Sequence, residues 1–137
     1  MNENIKVAIR VKPILKGDNP AQDYVIAPNS ESNEICYMNK ESRTQKLFSY
    51  DYVADSDLGQ SEFFDKIQMK QKVSQLMDGY NATVFAYGPT GSGKTYTIQG
   101  KPLDTRQTQT PFSDLENDEN LGLIPRALAY LFSHIRK

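Results

Sequence analysis

The chain has 137 residues, 38% of them hydrophobic and 24% charged, with a net charge of −1, which suggests at most one globular domain. No cluster of Lys and Arg dominates, so nucleic-acid binding is not indicated, and no apolar run approaches the ~18 residues that a membrane helix needs. The single cysteine, Cys36, excludes an intramolecular disulfide, and the lack of a signal-peptide pattern predicts an intracellular setting.

The N-terminal part has the pattern of short strands. Apolar and polar side chains alternate over residues 5–11, which predicts a first strand that Pro13 ends. Three more strands are predicted at 24–27, 34–38 and 44–50, and turn-forming residues separate them. We therefore expect a small antiparallel meander over residues 24–50, in which Cys36 is a small core residue.

A helix and a further strand are predicted next. Apolar residues recur at helical spacing from a plausible N-cap at Ser61 through Asp78, and Gly79 ends the pattern. The run 82–87 is apolar and β-favouring, the form of a buried parallel strand. The helix would then connect the meander to this strand as a crossover.

The strongest motif follows this strand. Residues 88–95 read G-P-T-G-S-G-K-T and match the phosphate-loop pattern G-x-x-x-x-G-K-[ST] at every position. Its glycines let the backbone approach a phosphate, Lys94 reaches the β- and γ-phosphates, and Thr95 offers its hydroxyl to Mg²⁺. The candidate phosphate-binding residues are Gly88, Pro89, Thr90, Gly91, Ser92, Gly93, Lys94 and Thr95.

The composition changes after Gly100. Residues 101–121 are polar and partly acidic and lack periodicity, so we expect a long exposed loop. A final helix is predicted from Pro125, with an apolar stripe that includes Leu128 and Phe132. His134 lies beside the stripe and is expected to be a surface or boundary residue.

The stretch 79–100, from G-Y-N-A-T-V-F-A-Y to the phosphate loop and T-Y-T-I-Q-G, closely resembles the phosphate-loop signature of kinesin motor domains. Segments 10–13 (R-V-K-P), 48–53 (F-S-Y-D-Y-V) and 122–126 (G-L-I-P-R) resemble other kinesin segments in the same order. The resemblance implies an α/β fold of the P-loop NTPase type, a sheet with flanking helices, of which residues 1–137 form the N-terminal, incomplete part. The loop 101–121 falls where kinesins carry their variable loop 5.

The resemblance also assigns site residues. It implies that Arg10, Lys12 and Pro13 border the adenine, that Tyr96 flanks the base, and that Lys94 and Thr95 are the catalytic residues. Three positions depart from the kinesin pattern, and we expect them to tune affinity without abolishing binding. They are Lys12 in place of an arginine, Ala54 in place of a phenylalanine, and Pro89 in place of a glutamine.

By the same resemblance, the cofactors would be ATP or ADP with Mg²⁺, the partner would be the microtubule, and the location would be the cytoplasmic cytoskeleton. The kinesin switch patterns N-x-x-S-S-R-S-H and D-x-x-G-x-E do not occur among the 137 residues. We therefore expect part of a motor, poorly stable by itself, whose own hydrolysis is uncertain. The alternative is a truncated, non-hydrolysing nucleotide-binding or regulatory module, and the flanking matches disfavour an unrelated P-loop NTPase. The sequence does not indicate an oligomeric state.

Overall fold

The computed structural model describes residues 5–16, 24–102 and 118–135. The chain divides into two compact units, residues 1–58 and 59–137. Within the described residues, the first unit holds strands and the second holds helices. The strands are β1 (Ala8–Arg10), β2 (Tyr24–Asn29), β3 (Glu34–Asn39), β4 (Gln45–Ser49) and β5 (Tyr52–Ala54). The helices are α1 (Gln60–Lys66), α2 (Met69–Met77), α3 (Lys94–Ile98) and α4 (Leu123–Ile135).

The first predicted strand forms, but it is shorter than predicted. β1 pairs in parallel with β5, with Ile9 opposite Val53. Lys6 and Val7, which precede β1, are bonded to Asp51. The Asp51 carboxylate accepts hydrogen bonds from the Val7 backbone N–H at 2.8 Å and from the Lys6 ammonium at 2.9 Å. These two bonds, the backbone one first, hold the pKa of Asp51 below its ordinary value because they favour the charged carboxylate. The regular strand covers residues 8–10 of the predicted range 5–11.

The meander region forms a three-stranded antiparallel sheet in the order β2–β3–β4. Both of its turns follow an asparagine whose side-chain oxygen accepts backbone N–H bonds, at 3.1 Å for Asn29 and 2.9 Å for Asn39. Ile35 is buried in this sheet. Cys36 is only half-buried, and its sulfur lies 3.0 Å from Gln45 Nε2, so the prediction of a core cysteine is wrong.

The helix predicted from Ser61 through Asp78 is two helices. The chain leaves helical geometry after α1, and Gln68 takes a left-handed conformation with φ 59° before α2 begins. Ser61 is not the N-cap, because α1 begins one residue after Gly59. The apolar spacing continues across the break, and the core of this unit is made of Phe63, Phe64, Ile67, Met69, Val73, Leu121, Leu123 and Ala129.

The predicted strand at 82–87 is wrong for this structure, since these residues belong to neither sheet. Phe85 is 82% exposed and Tyr87 is 97% exposed. A strand exists only where its backbone groups find a paired strand, and an apolar, β-favouring sequence cannot supply that partner. The described elements are therefore mixed sheets and helices consistent with an α/β fold, and their parallel pair is β1 with β5.

The last helix begins two residues before its predicted start at Pro125. Its buried positions include Arg126 and Ala129, whereas Leu128 and Phe132 of the predicted stripe are 45% and 43% exposed. His134 is exposed, and its ring lies tilted against that of Tyr130 with the ring centroids 4.2 Å apart, in agreement with the predicted surface role. In the described part of the chain, no helix is long and apolar enough to cross a membrane.

Candidate functional site

The phosphate loop turns sharply between residues 82–87 and α3. Gly88, Gly91 and Gly93 have φ values of 154°, 80° and 94°, a region that residues with a Cβ rarely adopt. The Ser92 N–H donates to the carbonyl of Pro89 at 3.2 Å and closes the turn. The glycines of the motif are therefore required by the backbone path that the loop takes.

Lys94 is the first residue of α3, and its side chain folds back over the loop. Its ammonium donates hydrogen bonds to the carbonyl oxygens of Gly88 at 2.9 Å and Pro89 at 2.8 Å. The positive charge is thus held beside the turn by the loop itself. The first N–H groups of a helix have no partner within the helix, so α3 adds backbone donors next to this cation.

A depression of about 310 Å³ lies at this loop. Thr95 and Tyr96 are exposed beside it, and its lining residues are Thr90, Gly91, Gly93, Lys94, Thr95 and Tyr96. Backbone N–H groups, an ammonium and a hydroxyl are the donors that a polyphosphate needs. Within the described ranges, no group of three His, Cys, Asp or Glu side chains could hold a metal by itself. The Thr95 hydroxyl at this loop fits Mg²⁺, because Mg²⁺ usually keeps few protein ligands and binds together with substrate phosphates.

The predicted adenine-binding residues lie in the first unit. Arg10 is the last residue of β1, and its guanidinium donates to the carbonyl of Leu58 at 3.3 Å. Lys12 is half-buried and Pro13 is exposed. Their contact with adenine stays a prediction, as does the role of Tyr96 beside the base.

Gln60 was not predicted to have a role at the site. The Gln60 side chain is 1% exposed, and its Nε2 donates to the carbonyl of Tyr96 in α3 at 2.7 Å. This contact links two segments that are 36 positions apart, so no local pattern points to it.

Glu119 and Arg126 were also missed as structural partners of the site. The Glu119 carboxylate accepts the backbone N–H groups of Gln60 at 2.6 Å and Ser61 at 3.2 Å, and so caps α1. Arg126 is 1% exposed and donates to the carbonyls of Leu121 and Asp118. Sequence reasoning treated Glu119 only as one of several loop acids.

Comparison with known proteins identifies the family. The model of the kinesin motor domain matches residues 10–137. The mouse (Mus musculus) kinesin-like protein KIF15 is 38% identical over 134 residues, which cover 96% of this chain and 9% of that protein. The rat (Rattus norvegicus) kinesin-like protein KIFC1 is 33% identical over 148 residues, which cover 95% of this chain and 19% of KIFC1. The Drosophila melanogaster kinesin-like protein Klp61F is 31% identical over 136 residues, which cover 98% of this chain and 12% of Klp61F. The chain thus spans less than a fifth of the length of these relatives.

Proposed function

Because this chain belongs to the kinesin motor domain family, we propose that it forms the ATP- and ADP-binding part of a microtubule-based motor. The observation that carries the proposal is the phosphate loop 88–95, whose motif matches at every position and whose glycines have positive φ. In this proposal the protein acts on microtubules in the cytoplasm.

Lys94 and Thr95 have distinct tasks in the proposed site. Lys94 is already held beside the turn, where its ammonium would exchange the carbonyls of Gly88 and Pro89 for the β- and γ-phosphate oxygens. Thr95 would place its hydroxyl on Mg²⁺. Bound Mg·ATP supplies the phosphoanhydride bond whose hydrolysis drives the motor.

One residue of the loop, Pro89, departs from the kinesin pattern in a way that bears on binding. Pro89 carries no backbone N–H, so its position in the loop adds a carbonyl but no donor toward a phosphate. We expect this to weaken the affinity for nucleotide modestly, because the remaining amides, Lys94 and Thr95 are unchanged. In the first unit, Arg10, Lys12 and Pro13 are proposed to contact the adenine.

The test is a titration of the 137-residue chain with a fluorescent Mg·ADP analogue. Lys94→Ala removes the cation of the loop and should weaken binding by at least about a hundredfold, because charge-assisted contacts to phosphate are the strong ones. Lys101→Ala, which removes an exposed lysine just beyond α3, is the matched control and should bind like the wild type. Equal affinity of the wild type and Lys94→Ala would contradict the proposal.

Phosphate release in the same samples separates a hydrolysing chain from the non-hydrolysing module. Phosphoryl transfer needs a group that positions the attacking water in addition to the loop. We assign no such group within residues 1–137, so the proposal for these residues is binding. Turnover that depends on Lys94 would show that a hydrolytic group is present among them.

A further inference from the structure

The short helix that carries Lys94 and Thr95 has one aliphatic side chain, that of Ile98, which lines an apolar groove. α3 has five residues, and none of them is buried. Helices this short are unstable in water by themselves, so their position depends on tertiary contacts. Whatever holds α3 therefore also fixes the start of the helix, where the two phosphate-loop side chains are attached.

Gln60 supplies such a contact from inside the unit. Its side chain is 1% exposed, and its Nε2 donates to the carbonyl of Tyr96 at 2.7 Å. In a regular helix the N–H of Gly100 would donate to that carbonyl, but here it donates to the carbonyl of Thr95 at 3.3 Å. Gln60 thus bonds to the helix one residue after Thr95.

The backbone of Gln60 is itself fixed. Its N–H donates to the Glu119 carboxylate at 2.6 Å, and the N–H of Ser61 donates to the same carboxylate at 3.2 Å. Arg126, 1% exposed, lies 4.0 Å from this carboxylate and donates to the carbonyl of Asp118. These contacts connect α3 to the start of α1 and to the turn that precedes α4.

We propose that Gln60 is a positioning residue for the phosphate loop: by holding the Tyr96 carbonyl, it fixes where α3 presents the Thr95 hydroxyl to Mg²⁺. The inference rests on the proposed nucleotide site. Mg²⁺ demands near-ideal octahedral geometry, whereas the flexible Lys94 side chain can follow a displaced phosphate. Loss of the Gln60 bond therefore weakens the Mg²⁺-dependent part of nucleotide binding more than the rest.

The experiment replaces Gln60 by methionine, which keeps most of the side-chain volume and removes the donor. The affinity for ADP is measured with Mg²⁺ and with EDTA. Gln60→Met should weaken Mg·ADP binding by about tenfold, the cost of one lost hydrogen bond, and should lower the ratio of the affinity with Mg²⁺ to the affinity with EDTA. Gln75→Met, the same change at an exposed position of α2, is the control and should keep both values.

Hydrogen exchange of the nucleotide-free chain gives the second readout. In Gln60→Met the amides of residues 94–100 should exchange faster, while those of α2 and α4 keep their wild-type rates. Gln60→Leu, which also lacks a donor and has a different shape from methionine, should give the same local pattern and covers the case in which the methionine variant does not fold.

The outcomes separate this inference from the proposed function. The positioning role is overturned if Gln60→Met keeps both the wild-type ratio of ADP affinities with Mg²⁺ and with EDTA and the wild-type exchange at 94–100. A uniform increase in exchange across residues 59–137 would overturn it as well. If the wild type binds no nucleotide, the proposed function fails. The exchange pattern then still decides whether Gln60 holds α3.

Discussion

The two flanks of the phosphate loop differ in how firmly the rest of the structure holds them. The upstream flank, residues 82–87, is apolar, and yet Phe85 is 82% exposed and Tyr87 is 97% exposed. The downstream flank, residues 94–100, is more polar, and hydrogen bonds fasten it on both sides. Gln60 bonds to Tyr96, and the Lys101 N–H donates to the carbonyl of Asn120 at 2.7 Å just beyond the flank.

This difference shows that hydrophobicity by itself does not fix a segment. An apolar strand sequence lowers the free energy of the fold only when another strand pairs with it and a packed layer covers it. A short polar helix can be fixed by a few directed bonds from residues that are already buried. The downstream flank therefore sets the geometry of the proposed site in this structure.

The largest effect on the free energy of unfolding is expected at Gly100, the last residue of the downstream flank. Gly100 is buried, has a φ of 92°, and forms a bridge with Leu121. A Cβ at this position would lie 2.1 Å from the Asn120 carbonyl oxygen and 2.5 Å from the Gly122 nitrogen, both backbone atoms that cannot easily move. Gly100→Ala should therefore lower the free energy of unfolding by about 3 kcal/mol, from overpacking and strained φ together.

Urea unfolding followed by circular dichroism measures this change. Gly79→Ala is the matched control, because Gly79 also has a positive φ of 91° but a Cβ there would have no atom within 4 Å. The control measures how much an alanine at positive φ destabilises the chain when its Cβ meets no other atom, which should be about 1 kcal/mol. Equal destabilisation by the two variants would mean that the bridge does not constrain the downstream flank.

A smaller effect is expected at the cap of α1. Glu119→Ala removes the acceptor for the N–H groups of Gln60 and Ser61 and the negative charge at the helix N-terminus. The loss of a cap typically costs about 1 kcal/mol. Glu119→Gln keeps an acceptor and should cost less than the alanine variant, as measured by the same urea transitions. If both variants equal the wild type, Glu119 does not cap this helix.

The smallest effect is expected on the upstream flank. Phe85→Ser exchanges an exposed aromatic ring for a small polar group, so the free energy of unfolding should change by less than about 0.5 kcal/mol. Val84 lines a small apolar groove of about 120 Å³ with Ile98 and Ile124, and Val84→Ala should be the more costly change on this flank. A loss of more than 1 kcal/mol for Phe85→Ser would show that the ring is buried in solution.

The sequence predicted what depends on neighbours along the chain. The turn glycines of the phosphate loop and the three strands between residues 24 and 50 lie close to their predicted places. The phosphate-loop motif is recognisable because its whole pattern lies in eight consecutive positions.

Two of the failed predictions depend on distant partners. The strand at 82–87 required a neighbour that its own residues cannot specify, and the cap of α1 comes from Glu119, 59 positions from Gln60, in place of the predicted Ser61. The break at Gln68 interrupts an apolar spacing that looks continuous, because the spacing records which face is buried and not whether the backbone stays helical. The low stability expected of the isolated chain stays a prediction.

The most direct test of the nucleotide site is hydrogen exchange of the 137-residue chain with and without saturating Mg·ADP, read by peptide. If residues 88–95 bind the phosphates, Mg·ADP slows exchange most strongly in peptides that cover 88–97, and the effect disappears in Lys94→Ala. Protection that falls elsewhere in the chain, or that persists in Lys94→Ala, would contradict the assignment of this loop as the nucleotide site.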